Sequence, residues 1–163
     1  MSLAEFSLKG KKALVIGARR NMGKGFALGL AEAGADVAVT DLNTESGQLN
    51  AVSEEIKAMG RESLCIKTDI SSQKDVKSMV DQVMLEFGGI DILVSNAGNF
   101  PQSQSLALMT DDNWQKSLDL NLSSHMRVMR ACLPYLREGF DPAVVIIASK
   151  NVPAPGPGAS AYS

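Results

Sequence analysis

The stretch Gly17-Ala-Arg-Arg-Asn-Met-Gly23-Lys-Gly25 decides the fold class of this chain. An apolar run at residues 13–16 precedes it, and residues 23–33, which are rich in alanine and leucine, follow it and end at Gly34. A short apolar run that ends at a glycine is typical of a buried strand, and an Ala/Leu-rich segment closed by glycine indicates a helix. The stretch therefore predicts a tight turn that leads from a strand into a helix.

The same alternation of strand and helix patterns continues along the chain. Further strands are expected at residues 35–41, 63–68, 90–94 and 143–148, and further helices at 44–59, 72–87 and 110–132, with Pro134 kinking or ending the last helix. Strands that are separated by helices of ten or more residues imply parallel pairing through crossovers. The prediction is an α/β fold with a doubly wound, Rossmann-like parallel sheet, in a single dinucleotide-binding domain over residues 1–163.

Length and charge exclude several other classes of protein. The 163 residues carry 16 Lys and Arg against 18 Asp and Glu, a formal net charge of −2, which argues against a nucleic-acid binder. No run approaches the ~18 apolar residues of a membrane helix, and no secretory signal is recognisable at residues 1–12. Cys65 and Cys132 are expected as buried reduced thiols, no metal site is expected, and the predicted location is the cytoplasm.

The glycine-rich turn is a candidate phosphate-binding site. Glycines permit close approach of the backbone, and the free N–H groups at a helix N-terminus attract a pyrophosphate. Taken alone the pattern is weak, because glycines also simply end strands and begin turns. Gly25 and Gly29 are expected to let the helix pack closely on the sheet. The candidate cofactor-binding residues of the turn are Gly17, Arg19, Arg20, Asn21, Met22 and Gly23.

Asp41 bears on the identity of the bound nucleotide. It lies at the end of the second predicted strand, 18 residues after Gly23, close to the ~20 expected of an acid that binds a ribose. A carboxylate accepts hydrogen bonds from ribose hydroxyls and repels a 2′-phosphate, so Asp41 favours NAD over NADP. Arg19 and Arg20 oppose this preference, because either can reach a 2′-phosphate. Asp41 can also be read as a cap of the turn that follows it.

Polar residues also follow the later strands at regular places. Asp69 follows the third strand, Asn96-Ala97-Gly98 the fourth, and Ser149 the fifth, with Tyr162 13 residues beyond Ser149. Asn121 lies inside the long predicted helix. Singly, Asn121 reads equally well as a surface polar group, whereas Ser149 and Tyr162 read better as a turn cap and a packed aromatic. Together with the turn and Asp41, they resemble the short-chain dehydrogenase/reductase family over essentially the whole chain.

The resemblance implies a role for each of these residues. Gly17 and Gly23 match the first and third glycines of the family's motif, and Asn21 stands where the middle glycine is usual. Asp69 matches the acid that contacts adenine, and Asn96, Ala97 and Gly98 match the segment beside the cofactor, with Ser95 in place of a common Asn. Asn121, Ser149 and Tyr162 match the family's catalytic residues. The implied function is NAD(P)(H)-dependent interconversion of a small-molecule alcohol and a carbonyl.

The chemistry of hydride transfer suits these residue types. The substrate oxygen gains or loses a proton, and a phenol can carry it if its pKa, about 10 in water, is lowered by nearby positive charge. Tyr162 would be this acid/base, and Ser149 would hydrogen-bond the oxygen whose charge changes. By the resemblance, Asn121 would hold a helix distortion and a water in the proton path.

One part of the family pattern is missing from the sequence. The family carries a lysine four residues after the tyrosine, whereas this sequence ends at Ser163. The C-terminal part of the fold is therefore expected to be absent, leaving the fifth strand as an exposed edge. A non-catalytic dinucleotide-binding protein or inactive fragment remains the alternative. An S-adenosylmethionine-dependent transferase would explain Gly17 and Asp41 but not Ser149 with Tyr162.

The long helix also carries residues outside the motif. His125 has no partner cluster in the sequence and is expected at the surface or at an interface rather than on a metal. Met126 and Met129 are expected to pack, and Trp114 to lie in the core or at an interface. Because this helix commonly pairs with its symmetry mate in the resembled family, a homo-oligomer is expected.

Overall fold

The computed structural model describes residues 6–100, 105–154 and 156–162. Five strands alternate with helices along the chain. The elements are β1 Lys12–Ile16, α1 Asn21–Glu32, β2 Asp36–Asp41, α2 Gln48–Ala58, β3 Ser63–Lys67, α3 Gln73–Phe87, β4 Ile92–Ser95, α4 Asp111–Leu118, a π-helical segment Asp119–Ser123, α5 Ser124–Glu138 and β5 Ala143–Ile146. A short 3₁₀ turn, Leu106–Leu108, precedes α4.

The strands form one parallel sheet in the order β3-β2-β1-β4-β5. Alternate side chains of β1 enter different cores, because successive residues of a strand face opposite sides. Leu14 packs with the buried side chains of α3 and α5, whereas Val15 packs with those of α1 and α2. Helices thus cover both faces, and the predicted doubly wound parallel sheet is confirmed.

The face of helix α1 that packs on the sheet is not the one that the sequence predicted. Its buried residues are Gly23, Ala27 and Ala31, which recur every four positions on one face. Gly25 and Gly29 are exposed, and a side chain built on either would meet nothing within 4 Å. The prediction that these two glycines bring the helix close to the sheet is wrong.

The helix α2 begins later than its polar pattern suggests. The expected start was residue 44, but the helix begins at Gln48, after Gly47 in the left-handed conformation. The side chain of Asp41 accepts a hydrogen bond from the backbone N–H of Asn43, at 3.0 Å. This local turn competes with helix formation directly after β2.

The long helix at residues 110–132 is longer and less regular than predicted. It continues past Pro134 to Glu138 and contains the π-helical segment. Proline lacks the N–H that would bond to the carbonyl of Arg130, but both residues are exposed, so water can satisfy that carbonyl. Pro134 therefore does not end the helix.

The strand β5 lies at the edge of the sheet. It pairs with β4 on one side, and all four of its residues are exposed. Val144, Val145 and Ile146 are 40%, 47% and 48% exposed. Of the two free cysteines, Cys132 on α5 is fully buried as expected, whereas Cys65 on β3 is only half-buried.

Candidate active site at the carboxyl edge of the sheet

A cavity of about 670 Å³ opens at the carboxyl ends of β1, β2, β3 and β4. Its wall includes residues from every one of the predicted cofactor segments. Those in the wall are Gly17, Arg19, Arg20, Asn21, Met22, Asp41, Asp69, Asn96, Ala97 and Gly98, with Tyr162 from the predicted catalytic set. Carboxyl ends of parallel strands are where ligands bind in open α/β sheets.

The turn after β1 is held by backbone contacts that require glycine. Gly17 has a φ of +75°, and a Cβ on it would lie 2.9 Å from the Cα of Ala97. The N–H groups of Gly17 and Ala18 both donate to the carbonyl of Thr40. The side chain of Asn96 donates to the carbonyl of Gly17 at 3.0 Å. The turn is thus fixed to the ends of both β2 and β4.

Gly23 and Asn21 shape the start of α1. A Cβ on Gly23 would lie 1.9 Å from the carbonyl oxygen of Gly17, so no other residue fits there without movement. Gly23 is buried behind the turn and lies outside the cavity wall. Asn21 has a φ of +51°, the left-handed conformation that asparagine tolerates better than most residues. Asn21 therefore supplies here the backbone freedom that glycine commonly supplies.

The N-terminus of α1 carries no acid of its own. Arg20 is the N-cap residue and makes no capping hydrogen bond with its side chain, and the first turn contains no Asp or Glu. The first N–H groups of a helix have no partner within the helix, and the dipole favours negative charge there. The turn is therefore electrostatically suited to an anion.

Asp41 lies in an ion pair at the rim of the cavity. Its Oδ1 lies 3.4 Å from Nε of Arg19, and both side chains are less than one fifth exposed. Arg19 also donates to Oε1 of Gln48 at 2.6 Å. Arg19 is thus turned toward α2, whereas Arg20 remains exposed.

Asp69 and two threonines form the wall below β2 and β3. Oδ1 of Asp69 accepts from the backbone N–H and the hydroxyl of Ser71. Thr40 and Thr68 belong to the same wall, are 0% and 3% exposed, and have hydroxyls without a hydrogen-bond partner in the described structure. Sequence reasoning did not select either threonine, although each directly precedes a selected aspartate.

Asn121 lies in the π-helical segment and holds the loop that follows β4. Its Oδ1 accepts from the N–H of Asn99 at 2.9 Å, and its Nδ2 donates to the carbonyl of Asn99 at 3.0 Å. Nδ2 also lies 3.2 Å from the hydroxyl of Ser117, which donates to the carbonyl of Ala161 at 2.8 Å. Asn121 is thereby connected to the segment that carries Tyr162.

Tyr162 reaches the cavity, whereas Ser149 does not belong to its wall. The ring of Tyr162 packs edge-on against Phe100, with centroids 4.9 Å apart. The hydroxyl oxygen of Ser149 accepts a hydrogen bond from the N–H of Asn151 at 3.2 Å. The structure therefore brings Tyr162 into the cavity wall and places Asn121 behind the wall residue Asn99, whereas Ser149 lies in a turn after β5.

His125 lies in a different place than the sequence predicted. It was expected at the surface or an interface, but it is 8% exposed, and its Nδ1 lies 2.6 Å from the hydroxyl oxygen of Ser95. Burial lowers the pKa of the imidazole, and a favourable interaction with the backbone of Ala97 opposes this shift in part. Periodicity places His125 with buried Val128 and Cys132, a signal that could have indicated burial.

The described residues hold neither a metal cluster nor a membrane helix. No group of three or more His, Cys, Asp or Glu residues among them is placed to hold a metal ion. Within the same ranges, no helix has the length and hydropathy to cross a membrane.

Comparisons with known proteins agree with this architecture. A family model described as short chain dehydrogenase matches residues 11–163. The 2-dehydro-3-deoxy-D-gluconate 5-dehydrogenase of Pseudoalteromonas atlantica is 42% identical over 130 residues, which are 78% of this chain and 50% of that protein.

Crystal structures give the same result at the level of the fold. A short chain dehydrogenase from Burkholderia cenocepacia in complex with NADP matches with a TM-score of 0.87 and 36% identity over 95% of this chain and 62% of its own. Carveol dehydrogenase from Mycobacterium avium in complex with NAD matches with a TM-score of 0.90 and 26% identity, over 95% of this chain and 60% of its own. The chain thus spans between half and two thirds of the length of these relatives.

Proposed function

The chain belongs to the short-chain dehydrogenase family, and on this premise we propose that it acts as an NAD(P)(H)-dependent oxidoreductase on a small-molecule alcohol or carbonyl. The observation that carries the proposal is the cavity itself. The cavity is lined by the glycine turn, Asp41 and Asp69. Tyr162, which lies near the end of the sequence, lines the same cavity. Similar proteins in the comparisons are named as dehydrogenases and have been crystallised with NAD or NADP.

The residues present fit a dinucleotide. The uncapped start of α1, next to the turn at Gly17, offers backbone N–H groups to the phosphates. Asp41 would accept ribose hydroxyls, and Asp69 would lie near the adenine. The buried hydroxyls of Thr40 and Thr68 also indicate a wall built for a polar partner, since buried hydroxyls normally have one.

The ion pair at the rim supports NAD as the preferred cofactor. If NADP bound with its 2′-phosphate beside Asp41, that phosphate would meet like charge. Arg19, which could otherwise bind the phosphate, is already engaged by Asp41 and Gln48. A 2′-phosphate would compete with Asp41 and Gln48 for the guanidinium of Arg19.

The nicotinamide cofactor, when bound, supplies the hydride acceptor or donor. Tyr162 would hold the proton that the substrate oxygen exchanges, because Tyr162 belongs to the cavity wall. Asn121 would hold the loop at Asn99 beside the segment that carries Tyr162, through its side-chain amide and Ser117. Ser149 would stabilise the substrate oxygen by donating its O–H, which stays available while its oxygen accepts from the N–H of Asn151.

The mechanism is tested by Tyr162→Phe in the complete protein. NADH and NADPH binding are measured by fluorescence titration, and turnover is measured with a panel of aldehydes, ketones and secondary alcohols. Loss of the proton carrier should lower turnover by about 10²–10⁴-fold and leave the NADH dissociation constant unchanged. Tyr135→Phe, a half-buried tyrosine on α5 away from this cavity, is the matched control.

The possible outcomes separate the candidate functions. Equal turnover in Tyr162→Phe and wild type would contradict the proton-carrier role. NADH binding without turnover of any substrate would favour the non-catalytic alternative. Binding of S-adenosylmethionine in place of NADH would favour the transferase.

We also propose that the protein has one domain, lies in the cytoplasm and forms a homo-oligomer. Residues 1–163 would form one dinucleotide-binding domain, because a single sheet joins all five strands. Two free thiols fit a reducing compartment such as the cytoplasm. Exposed apolar side chains on α5 and the π-helical segment support a homo-oligomer.

A further inference from the structure

A buried pair of polar side chains lies directly behind the cavity wall. Ser95, at the end of β4, is 1% exposed, and its hydroxyl meets Nδ1 of His125 at 2.6 Å. The backbone of Ala97 also interacts favourably with the imidazole and partly offsets the lowering of its pKa by burial. A neutral imidazole has one donor and one acceptor nitrogen, so it can serve both partners at once.

The segment that His125 contacts is the part of the wall that meets the glycine turn. Between Ser95 and Ala97 lies Asn96, whose side chain donates to the carbonyl of Gly17. Ala97 packs so closely on Gly17 that a Cβ there would lie 2.9 Å from its Cα. A shift of this segment by a few tenths of an ångström would therefore be transmitted to the turn.

The same helical unit holds the loop at a second point. Asn121 bonds to both backbone groups of Asn99, and His125, four residues later, reaches Ser95 and Ala97. The two side chains thus fix both ends of the segment 95–99 from behind. In the described part of the chain, the polar side chains of Ser124 and Arg127 on α5 bond elsewhere, Ser124 to the carbonyl of Leu120 and Arg127 to Asp119.

Stability alone does not account for a histidine at this position. The neighbouring buried residues of α5 are Val128 and Cys132, and an apolar pair of similar shape in place of Ser95 and His125 would cost little. Two polar groups that hydrogen-bond to each other fix the distance and orientation between the segments that carry them. An apolar pair does not do this.

We propose that His125 is a positioning residue for binding of the nicotinamide cofactor. His125 fixes the position of Asn96 and Ala97 against the turn at Gly17. The inference rests on the proposed function, because it assumes that this turn binds the dinucleotide. It adds a residue that lies outside the cavity wall and that acts through Ser95 and Ala97.

The test is a set of four variants in the complete protein. His125→Val removes both nitrogens, His125→Asn restores a polar atom near the position of Nδ1, Ser95→Ala removes the partner, and the double variant combines Ser95→Ala with His125→Val. Val128→Ala, a core substitution on the same helix, is the control for lost packing. NADH dissociation constants are measured by fluorescence well below the unfolding temperature.

We expect NADH binding to weaken about tenfold in His125→Val and to recover to within about threefold of wild type in His125→Asn. Since Ser95→Ala and His125→Val both break the contact between Ser95 and His125, the double variant should bind no more weakly than His125→Val. Val128→Ala should unfold at a lower temperature and bind NADH as tightly as wild type. Wild-type affinity in His125→Val, or additive losses in the double variant, would overturn the inference.

A second measurement separates this inference from the proposed function. In the unliganded protein, amide hydrogen exchange at residues 96–99 should be faster in His125→Val than in wild type or Val128→Ala. If wild-type protein binds neither NADH nor NADPH, the proposed function fails, and the exchange result alone decides whether His125 positions the segment. Unchanged exchange at 96–99 would overturn the inference.

Discussion

Two hydroxyl groups in the cavity wall, those of Thr40 and Thr68, are buried without a partner. An unsatisfied buried hydroxyl costs about 1–3 kcal/mol, so its replacement by a methyl group of the same shape should stabilise the unliganded protein. We expect Thr40→Val and Thr68→Val each to raise the free energy of unfolding by about 1 kcal/mol, measured by urea denaturation. Thr110→Val is the contrasting control, because the Thr110 side chain caps α4 and its loss should destabilise by about 1 kcal/mol. A loss of stability in both wall variants would show that the hydroxyls have partners.

His125 makes stability depend on pH in a predictable direction. Burial is the main cause that holds its pKa below the ordinary value of 6.5, so the unfolded chain binds a proton more readily than the folded one. The free energy of unfolding should have its full value above about pH 6.5 and should fall as the pH drops below that value. The measurement is denaturant unfolding at pH 7.5 and 5.5, for wild type and His125→Val. The fall should be smaller in the variant, and an equal fall in both proteins would refute the assignment.

Single residues also show where sequence reasoning reaches its limit. Gly17, Asp41 and Asp69 could be placed at the cavity because each directly follows a strand, and strand ends of one parallel sheet meet at one edge. His125 and Ser149 could not be placed in the same way. The contact of His125 depends on how α5 rotates against β4, and the position of Ser149 depends on a turn that its own hydroxyl helps to form.

At the scale of elements, the strands and most helices follow from local patterns, but the irregular helix does not. A π-helical segment pairs residues five apart and leaves no mark in hydrophobic periodicity, so residues 110–132 read as one regular helix. The extra residue lets Asn121 face the loop at Asn99 instead of the neighbouring turn of helix. Such segments are frequent at functional sites, and here one positions a predicted catalytic residue.

Asn121 should be worth more to stability than a surface polar residue of the same helix. Asn121→Ala removes two hydrogen bonds to Asn99 and leaves its backbone groups without those partners. We expect a loss of about 1–3 kcal/mol in the free energy of unfolding. The control is Lys116→Ala, which breaks an exposed ion pair with Asp112 and should cost well under 1 kcal/mol. Equal effects of the two variants in urea denaturation would mean that Asn121 does not hold the loop.

At the scale of the whole molecule, strand order determines where the cavity lies. The chain adds β2 and β3 on one side of β1 and then returns to add β4 and β5 on the other. Loops that leave β1 and β4 must then diverge, and the space between them is the crevice that open α/β sheets use for ligands. Gly17 and Asn96, which close that crevice, follow these two strands. The location of the cavity could thus be predicted from the alternation of strands and helices together with the polar residues that follow the strands.

The exposed apolar surface of α5 leads to a prediction about assembly. Leu122, Met126 and Leu133, at spacings of four and seven residues, form one stripe along the π-helical segment and α5, and they are 66%, 50% and 39% exposed. A second copy of the chain that buries this stripe would remove it from water, a gain of about 25 cal/mol for each Å² of apolar surface. We therefore expect a dimer or larger homo-oligomer by size-exclusion chromatography with light scattering, and a shift toward monomer in Met126→Lys, which places a charge in the stripe. Leu85→Lys, at an 81% exposed site on α3, should leave the mass unchanged. A monomeric wild-type protein at micromolar concentration would contradict the homo-oligomer, and an equal shift in both variants would mean that the effect is not specific to this stripe.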